Sequence, residues 1–284
     1  MASVFPEVTG GSPSAYSPSP APDDVDLILA AARKVIEHTA AILDGLADTA
    51  VMVPRSEWSV GEHGAHIAFT NIGFGMFALG VDYPYGDGTA AGLAEANEVS
   101  LAGFPERDGT ALAEQLRQGM ETFAQVAGNA AVDQLCPSPL GTMPLGVLSS
   151  YFLTHNLMHA CAISAGLNRD FPVHADHLPL VWPMAIHTLP NFVNATAMQG
   201  VSGCVRLSSA GGFEAIMEVQ DGQLSILPAP TGEVDCYVEG DPVHLFLVLI
   251  KMLTADEAVD LGHLEVSGSQ PELFARVMSA LELP

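Results

Sequence analysis

Residues 151–166 read YFLTHNLMHACAISAG, an apolar stretch without proline that carries His155 and His159. Because four residues make about one turn of an α-helix, the two imidazoles point from the same face. The stretch therefore predicts a helix that presents two histidines on one face.

A third histidine, His66, lies upstream in residues 62–74, a stretch of helical composition that reads EHGAHIAFTNIGF. Two histidines on one helix and one on another can form a three-nitrogen metal site that faces into a helical bundle. The alternative is that each is an ordinary histidine held by a single hydrogen bond. The spacing leaves both interpretations open. His63 is a candidate to contact the ligands of such a site without binding the metal itself.

The composition indicates a folded protein and argues against two classes of partner. The chain has 284 residues, a length that suits two domains. Hydrophobic residues make up 49% of it, which is typical of a folded protein. The net charge of −24, from 33 acidic and 9 basic residues, disfavours anionic membrane surfaces and nucleic acid, since phosphate binding needs clustered Lys and Arg. No apolar run reaches the roughly 18 residues of a membrane-spanning helix. We expect neither nucleic acid nor membrane as a partner.

The start of the chain and its cysteines predict a cytoplasmic location. Residues 1–22 lack the basic region and apolar core of a signal peptide, and their Pro, Ser and Gly content predicts a disordered or loosely draped arm. The cysteines have no CxxC spacing and are typical of reduced thiols in a cytosolic protein. They are Cys136, Cys161, Cys204 and Cys236.

Residues 23–166 are predicted to form an antiparallel bundle of about four long helices. Apolar residues recur at helical period from residue 23 to residue 47, and residues 109–127 are clearly amphipathic. Ser59 is a good N-cap for the helix that carries His66, with Glu62 as its capping-box partner.

The periodicity changes in the second half of the chain. Residues 167–199 are interrupted by prolines and are interpreted as a bridge. From residue 200 to residue 284, alternating stretches predict a small α+β domain with an antiparallel sheet. Asp221 and Gly222 mark a short hairpin within it. The predicted fold class is thus an all-α domain followed by an α+β domain.

Residues 58–68, WSVGEHGAHIA, resemble the second-helix motif of the DinB-like metalloenzyme superfamily, and most closely its mycothiol-dependent maleylpyruvate isomerase branch. In that branch a tryptophan precedes a metal-binding histidine by eight residues, as Trp58 precedes His66 here. Residues 158–173, MHACAISAGLNRDFPV, are similar to the fourth-helix region of the family and place His159 on its second histidine.

The resemblance extends to a third ligand and to the C-terminal domain. His155 falls where the isomerase branch usually has glutamate and where other DinB-like branches have histidine. The resemblance thus implies a metal held by His66, His155 and His159, with Zn²⁺ as the default and Fe, Ni or Mn as alternatives, because nitrogen ligands suit several metals. Residues 234–268 resemble the sterol-carrier-protein-like domain often fused to such bundles.

Two departures from the family argue against maleylpyruvate itself as the substrate. The family often has an aspartate where this chain has Ala162. The isomerase branch also uses a C-terminal arginine near its thiol and substrate, and Lys251 is the nearest positional match here. Because basic residues are scarce after residue 200, we expect a small, largely neutral or apolar substrate.

The predicted function is that of a metal-dependent isomerase or transferase. Three neutral ligands leave a divalent metal with its full charge and an open position, where it can lower the pKa of bound water or of a thiol. The resemblance favours a low-molecular-weight thiol such as mycothiol as cosubstrate, for S-transfer or isomerisation of a small electrophile. Glu62, Tyr151 and Lys251 are the candidate catalytic residues, although Glu62 also suits a helix cap and Tyr151 a packed aromatic.

Two other classes of function stay open. The same scaffold can serve another metalloenzyme, such as a hydrolase, a lyase or a tailoring enzyme of secondary metabolism. Alternatively, the chain is a non-catalytic protein whose C-terminal domain holds an apolar ligand. Metal content separates this last class from the others, and dependence on thiol separates the first two. We expect the protein to be a monomer or a homodimer.

Overall fold

The structure, a computed structural model, describes residues 25–210, 212–227 and 229–283. The predicted arm, residues 1–22, lies outside these described residues. Within them the chain divides into two compact units, and the division falls between Val173 and His174. Across the described part of the chain, no helix is both long enough and apolar enough to cross a membrane.

The first unit is helical. Its helices are α1 (Val25–Leu43), α2 (Val60–Ala78), α3 (Ala90–Gly103), α4 (Gly109–Ala127) and α5 (Leu145–Gly166). Two short antiparallel strands, β1 (Leu135–Cys136) and β2 (Met143–Pro144), lie before α5. Helices α1 and α2 each pack against both α4 and α5.

Aromatic side chains fill the core between α2, α4 and α5. Phe123 of α4 stacks on Phe152 of α5 with ring centroids 4.1 Å apart, and Phe74 of α2 meets Phe152 edge-on at 5.4 Å. Burial of one such ring stabilises a fold by about 1.5–3 kcal/mol. The cluster therefore fixes how α2 and α5 face each other.

Helices α2 and α5 run antiparallel, because contacts that advance along α2 recede along α5. The contact pairs are His63 with His159, His66 with His155, and Phe74 with Tyr151. Helix α2 begins at the predicted capping box, in which the side chain of Ser59 and that of Glu62 each accept a hydrogen bond from the other's backbone N–H.

The second unit combines helices with a five-stranded sheet. Its helices are α6 (His177–Thr188), α7 (Pro242–Leu249), α8 (Ala255–Asp260) and α9 (Leu273–Ala280), with a 3-10 helix at Leu189–Phe192. Its strands are β3 (Gly203–Ser209), β4 (Glu214–Gln220), β5 (Gln223–Leu227), β6 (Cys236–Gly240) and β7 (Leu264–Gly268). Helix α6 and the 3-10 helix lie within residues 167–199, for which the sequence predicts a bridge.

The hairpin between β4 and β5 turns at Asp221 and Gly222, as the sequence predicts. Both residues have positive φ, +49° and +82°. Two consecutive positive φ values are the signature of the tight turn that suits the right-handed twist of a hairpin.

The predicted antiparallel arrangement of this sheet is wrong in one place, and the sheet is mixed. The strand order is β5-β4-β3-β6-β7, and β3 pairs with β6 in parallel, with Val205 opposite Cys236. After the hairpin, β5 runs in the direction of β3. The chain then returns to the end of the sheet where β3 begins, so β6 enters beside β3 in the same direction.

Candidate metal centre

The structure brings together the three predicted metal ligands, His66 from α2 and His155 and His159 from α5. Their ring centroids lie 4.6–4.9 Å apart. The Nε2 atoms of His66 and His155 are separated by 2.9 Å, and each of the three rings offers a ligand atom within 4.8 Å of the other two. We refer to these three residues as the histidine centre.

Close packing at the start of α2 holds His66 in place. A Cβ atom at Gly64 would lie 3.2 Å from side-chain carbons of both Leu43 and Leu112, so glycine permits the close approach of α2 to α1 and α4 there. The capping box at Ser59 fixes where the helix begins. Together these features determine which residues of α2 face α5.

A buried amide pair fixes the register of α2 against α5. Asn71 and Asn156 donate to each other's side-chain oxygens at 3.1 and 2.9 Å, and Asn156 also donates to the carbonyl of Phe152 at 2.8 Å. A slip of one helix along the other would break both hydrogen bonds between the two amides, at about 1–3 kcal/mol for each polar group left unpaired. Since Asn156 is next to His155 in α5, the Asn71–Asn156 pair also determines the position of His155 along the helix axis, opposite His66.

Burial keeps the imidazoles of the site neutral. His66 is only 3% exposed and His63 only 6%. Burial lowers the pKa of His155 to about 3 and that of His63 to about 4, and it holds the pKa values of His66 and His159 well below their ordinary range. Neutral imidazole is the form that ligates a metal, so the rings are ready to do so at neutral pH.

The donor set fits a divalent metal ion. The Nδ1 atoms of His66 and His155 are buried and have no hydrogen-bond partner among the described residues. Within the described residues, these two rings approach each other through their Nε2 atoms, which lie 2.9 Å apart. A cation bound by these converging nitrogens would replace their contact, and three neutral imidazoles suit zinc and related ions.

Trp58 closes one side of the histidine centre. Its ring centroid lies 5.0 Å from that of His66, and its plane is within 15° of that of His159 at 6.1 Å. Its Nε1 donates to Glu98 of α3 at 3.0 Å, which fixes the orientation of the indole. The tryptophan of the motif thus forms an apolar wall against two of the three rings.

The predicted catalytic residues Glu62 and Tyr151 have structural surroundings of their own. Glu62 accepts hydrogen bonds from the backbone N–H and the hydroxyl of Ser59 at 2.7 Å, and the backbone bond is the main cause of its lowered pKa. Tyr151 lies edge-on to His155 at 6.4 Å, and burial raises its pKa well above the ordinary value. A catalytic role for either residue stays a prediction.

Lys251, the third predicted catalytic residue, belongs to the second unit. Its ammonium group donates to the backbone carbonyl of Leu281, and its own backbone has a φ of +60°. Its role towards a substrate also stays a prediction.

The sequence pattern does not predict two residues that support the site. Ser56 lies in a loop without any periodic pattern, and its hydroxyl is 3.0 Å from Nε2 of His63. Asn71 forms half of the buried amide pair. A polar side chain on an otherwise apolar helix was the available signal for Asn71, whereas nothing in the pattern distinguished Ser56.

The chain is similar to several solved structures, to different degrees. A histidine-to-alanine variant of the mycothiol-dependent maleylpyruvate isomerase matches with a TM-score of 0.50 and 16% identity, over 79% of this chain and 88% of its own. The mycothiol-dependent maleylpyruvate isomerase itself matches over the same shares, at the same identity and a TM-score of 0.48. A ubiquinone synthesis protein, UbiJ-SCP2, covers 36% of this chain at a TM-score of 0.28.

At this level of identity, the first likeness shows a shared fold, in agreement with the DinB-like fold that the sequence resemblance implies. No family model matches the chain, and no curated protein matches it.

Proposed function

We propose that this chain is a divalent-metal-dependent enzyme that activates a low-molecular-weight thiol for S-transfer to, or isomerisation of, a small electrophile. One observation carries the proposal: three neutral imidazoles from two helices converge within 4.8 Å. The fold shared with a mycothiol-dependent isomerase supports a thiol of the mycothiol kind as cosubstrate. The reaction is therefore assigned to the isomerase or transferase class.

His66, His155 and His159 would hold the ion, for which Zn²⁺ is the default and Fe, Ni or Mn are alternatives. When bound, the ion would lower the pKa of a thiol at its open position, so that the nucleophilic thiolate forms at neutral pH. All three ligands are neutral, and no carboxylate among them offsets the positive charge.

We expect the aromatic residues beside the histidine centre to line the space that a substrate would occupy. Trp58, Phe74 and Tyr151 place aromatic rings 5.0–6.4 Å from the nearest imidazole. Aromatic walls exclude water, and electrostatic interactions are stronger in a dry site. Such walls suit a neutral or apolar electrophile better than a dicarboxylate such as maleylpyruvate.

We further propose that α1, α2, α4 and α5 form an antiparallel DinB-like bundle within residues 23–166, and that residues 200–284 form a sterol-carrier-protein-like domain. Packing of α1 and α2 against both α4 and α5 supports the first assignment. The mixed sheet flanked by helices supports the second.

The proposed function is tested by the thiol dependence of turnover. Zn²⁺-loaded protein is incubated with mycothiol or a simpler thiol and a panel of neutral and acidic electrophiles, while thioether formation and isomerisation are followed. We expect turnover that requires thiol and is lost in His66→Ala. Turnover indifferent to thiol would contradict the mechanism and would favour a metal-dependent hydrolase or lyase instead.

A further inference from the structure

We propose that His63 is a positioning residue for the histidine centre. Its Nδ1 accepts a hydrogen bond from the Nδ1–H of His159, and this tautomer of His159 leaves the Nε2 lone pair free to bind the metal. This inference rests on the metal-binding part of the proposed function, and it adds a residue outside the ligand set.

The geometry places His63 between His159 and the loop before α2. Nδ1 of His63 lies 2.8 Å from Nδ1 of His159, and Nε2 of His63 lies 3.0 Å from the hydroxyl oxygen of Ser56. The same hydroxyl oxygen accepts the backbone N–H of Trp58 at 3.1 Å. A continuous line of hydrogen bonds therefore runs from the backbone of the loop to the ring of His159.

The proton count along this line links the tautomer of His159 to the ring nitrogen that can bind the metal. Each neutral imidazole has one N–H, and a contact of 2.8 Å between the two Nδ1 atoms requires one proton between them. If His159 supplies this proton, its Nε2 is a free lone pair, and His63 donates its Nε2–H to Ser56. If His63 supplied it, His159 would carry its proton on Nε2 and could not ligate through that atom.

Of the three proposed ligands, His159 alone has a side-chain hydrogen-bond partner at Nδ1 among the described residues. Among the described residues, Nδ1 of His66 and Nδ1 of His155 have no hydrogen-bond partner, whereas Nδ1 of His159 has one. The protein therefore fixes the tautomer and the orientation of one ligand through a neighbouring side chain. Loss of such an outer partner typically weakens metal binding by about 10–100-fold.

Two substitutions of matched shape test the inference. His63→Asn keeps an oxygen acceptor close to the place of Nδ1, whereas His63→Leu has the same branching and no acceptor. Zn²⁺ affinity is measured by competition with a chromophoric chelator, and thermal unfolding controls for the fold. We expect His63→Leu to weaken Zn²⁺ binding by about 10–100-fold and His63→Asn to recover most of that loss.

A second measurement reports the tautomer directly. In the ¹⁵N NMR spectrum of Zn²⁺-loaded wild-type protein with labelled histidine, His159 should be protonated on Nδ1 and ligated through Nε2. A proton on Nε2 would overturn the inference even if His63→Leu did not fold.

The outcomes separate this inference from the proposed function. If the wild-type protein binds Zn²⁺ and His63→Leu binds it equally well, or if His63→Asn is as weak as His63→Leu, only the positioning role is overturned. If the wild-type protein binds no Zn²⁺, the proposed metal centre fails and the positioning role fails with it.

Discussion

Among the histidines that contact one another in the described residues, two groups differ in the kind of contact they make. In the first unit, the histidine centre combines three imidazoles with buried, unpartnered Nδ1 atoms on two of them, among the residues that the structure describes. In the second unit, His244 and His263 stack with ring centroids 3.5 Å apart, and Nδ1 of His244 bonds the carboxylate of Asp241 at 2.9 Å. We call these two residues the stacked pair.

The difference shows that proximity alone does not make a metal site. Parallel stacking of His244 and His263, with only 12° between their planes, points the ring nitrogens alongside each other rather than at a shared point. Asp241 already satisfies one of those nitrogens. The histidine centre has tilted rings and a potential ligand nitrogen on each of three residues, and these features suit a cation.

The largest expected effect comes from removal of a ligand. His66→Ala, His155→Ala and His159→Ala should each weaken Zn²⁺ binding by more than the roughly 100-fold upper range for loss of an outer partner. His244→Ala in the stacked pair is the control and should leave Zn²⁺ binding unchanged. Metal analysis after dialysis checks this, and stoichiometric metal in all three ligand variants would refute the ligand assignment.

The next effect concerns the register on which the histidine centre depends. Asn71→Leu leaves the amide of Asn156 with one partner fewer and should lower the free energy of unfolding by about 1–3 kcal/mol. The double variant with Asn156→Leu should recover part of this loss, because both polar groups are then gone. Chemical denaturation checks the values, and a double variant worse than the sum of the two single variants would contradict the pairing.

Gly119 of α4 tests how closely α4 packs against Asn71 of α2. A Cβ atom at this position would lie 2.9 Å from Cβ of Asn71, whereas a Cβ atom at Gly103 of α3 would meet nothing within 4 Å. Gly119→Ala should cost about 1–3 kcal/mol through overpacking. Gly103→Ala should be neutral or slightly stabilising, and equal melting temperatures for the two variants would contradict the close contact.

The smallest expected effects come from the helix caps beside each group of histidines. Ser59→Ala and Asp241→Ala each remove a side-chain acceptor at a helix start and should cost about 0.5–2 kcal/mol. Only Ser59→Ala should also weaken Zn²⁺ binding, because α2 carries His66 whereas α7 carries no ligand. Equal Zn²⁺ affinities for the two variants would show that the cap does not influence the histidine centre.

Local patterns in the sequence predict most of the helices and the convergence of the histidines. The amphipathic stretch 109–127 coincides with α4, and the capping box at Ser59 and Glu62 is present. The four-residue spacing of His155 and His159 puts them on one face of α5, opposite His66. These features follow from helical geometry, which a short window of sequence contains.

Features that depend on distant contacts could not be predicted in this way. The parallel pairing of β3 with β6 depends on how the chain returns after a hairpin, and alternation within a strand carries no information on direction. The contact of Ser56 with His63 depends on the path of a loop. Helix α6 contains Pro183, which a local pattern interprets as a break in a helix.

X-ray absorption spectroscopy of Zn²⁺-loaded protein, before and after addition of thiol, tests the central claim most directly. We expect three imidazole nitrogens at about 2.0–2.1 Å from the metal, and a new sulfur at about 2.3 Å when thiol is added. The spectrum of His244→Ala should be identical to that of the wild type, whereas His155→Ala should lose one imidazole. A metal with fewer than three imidazoles, or an unchanged spectrum on addition of thiol, would contradict the account.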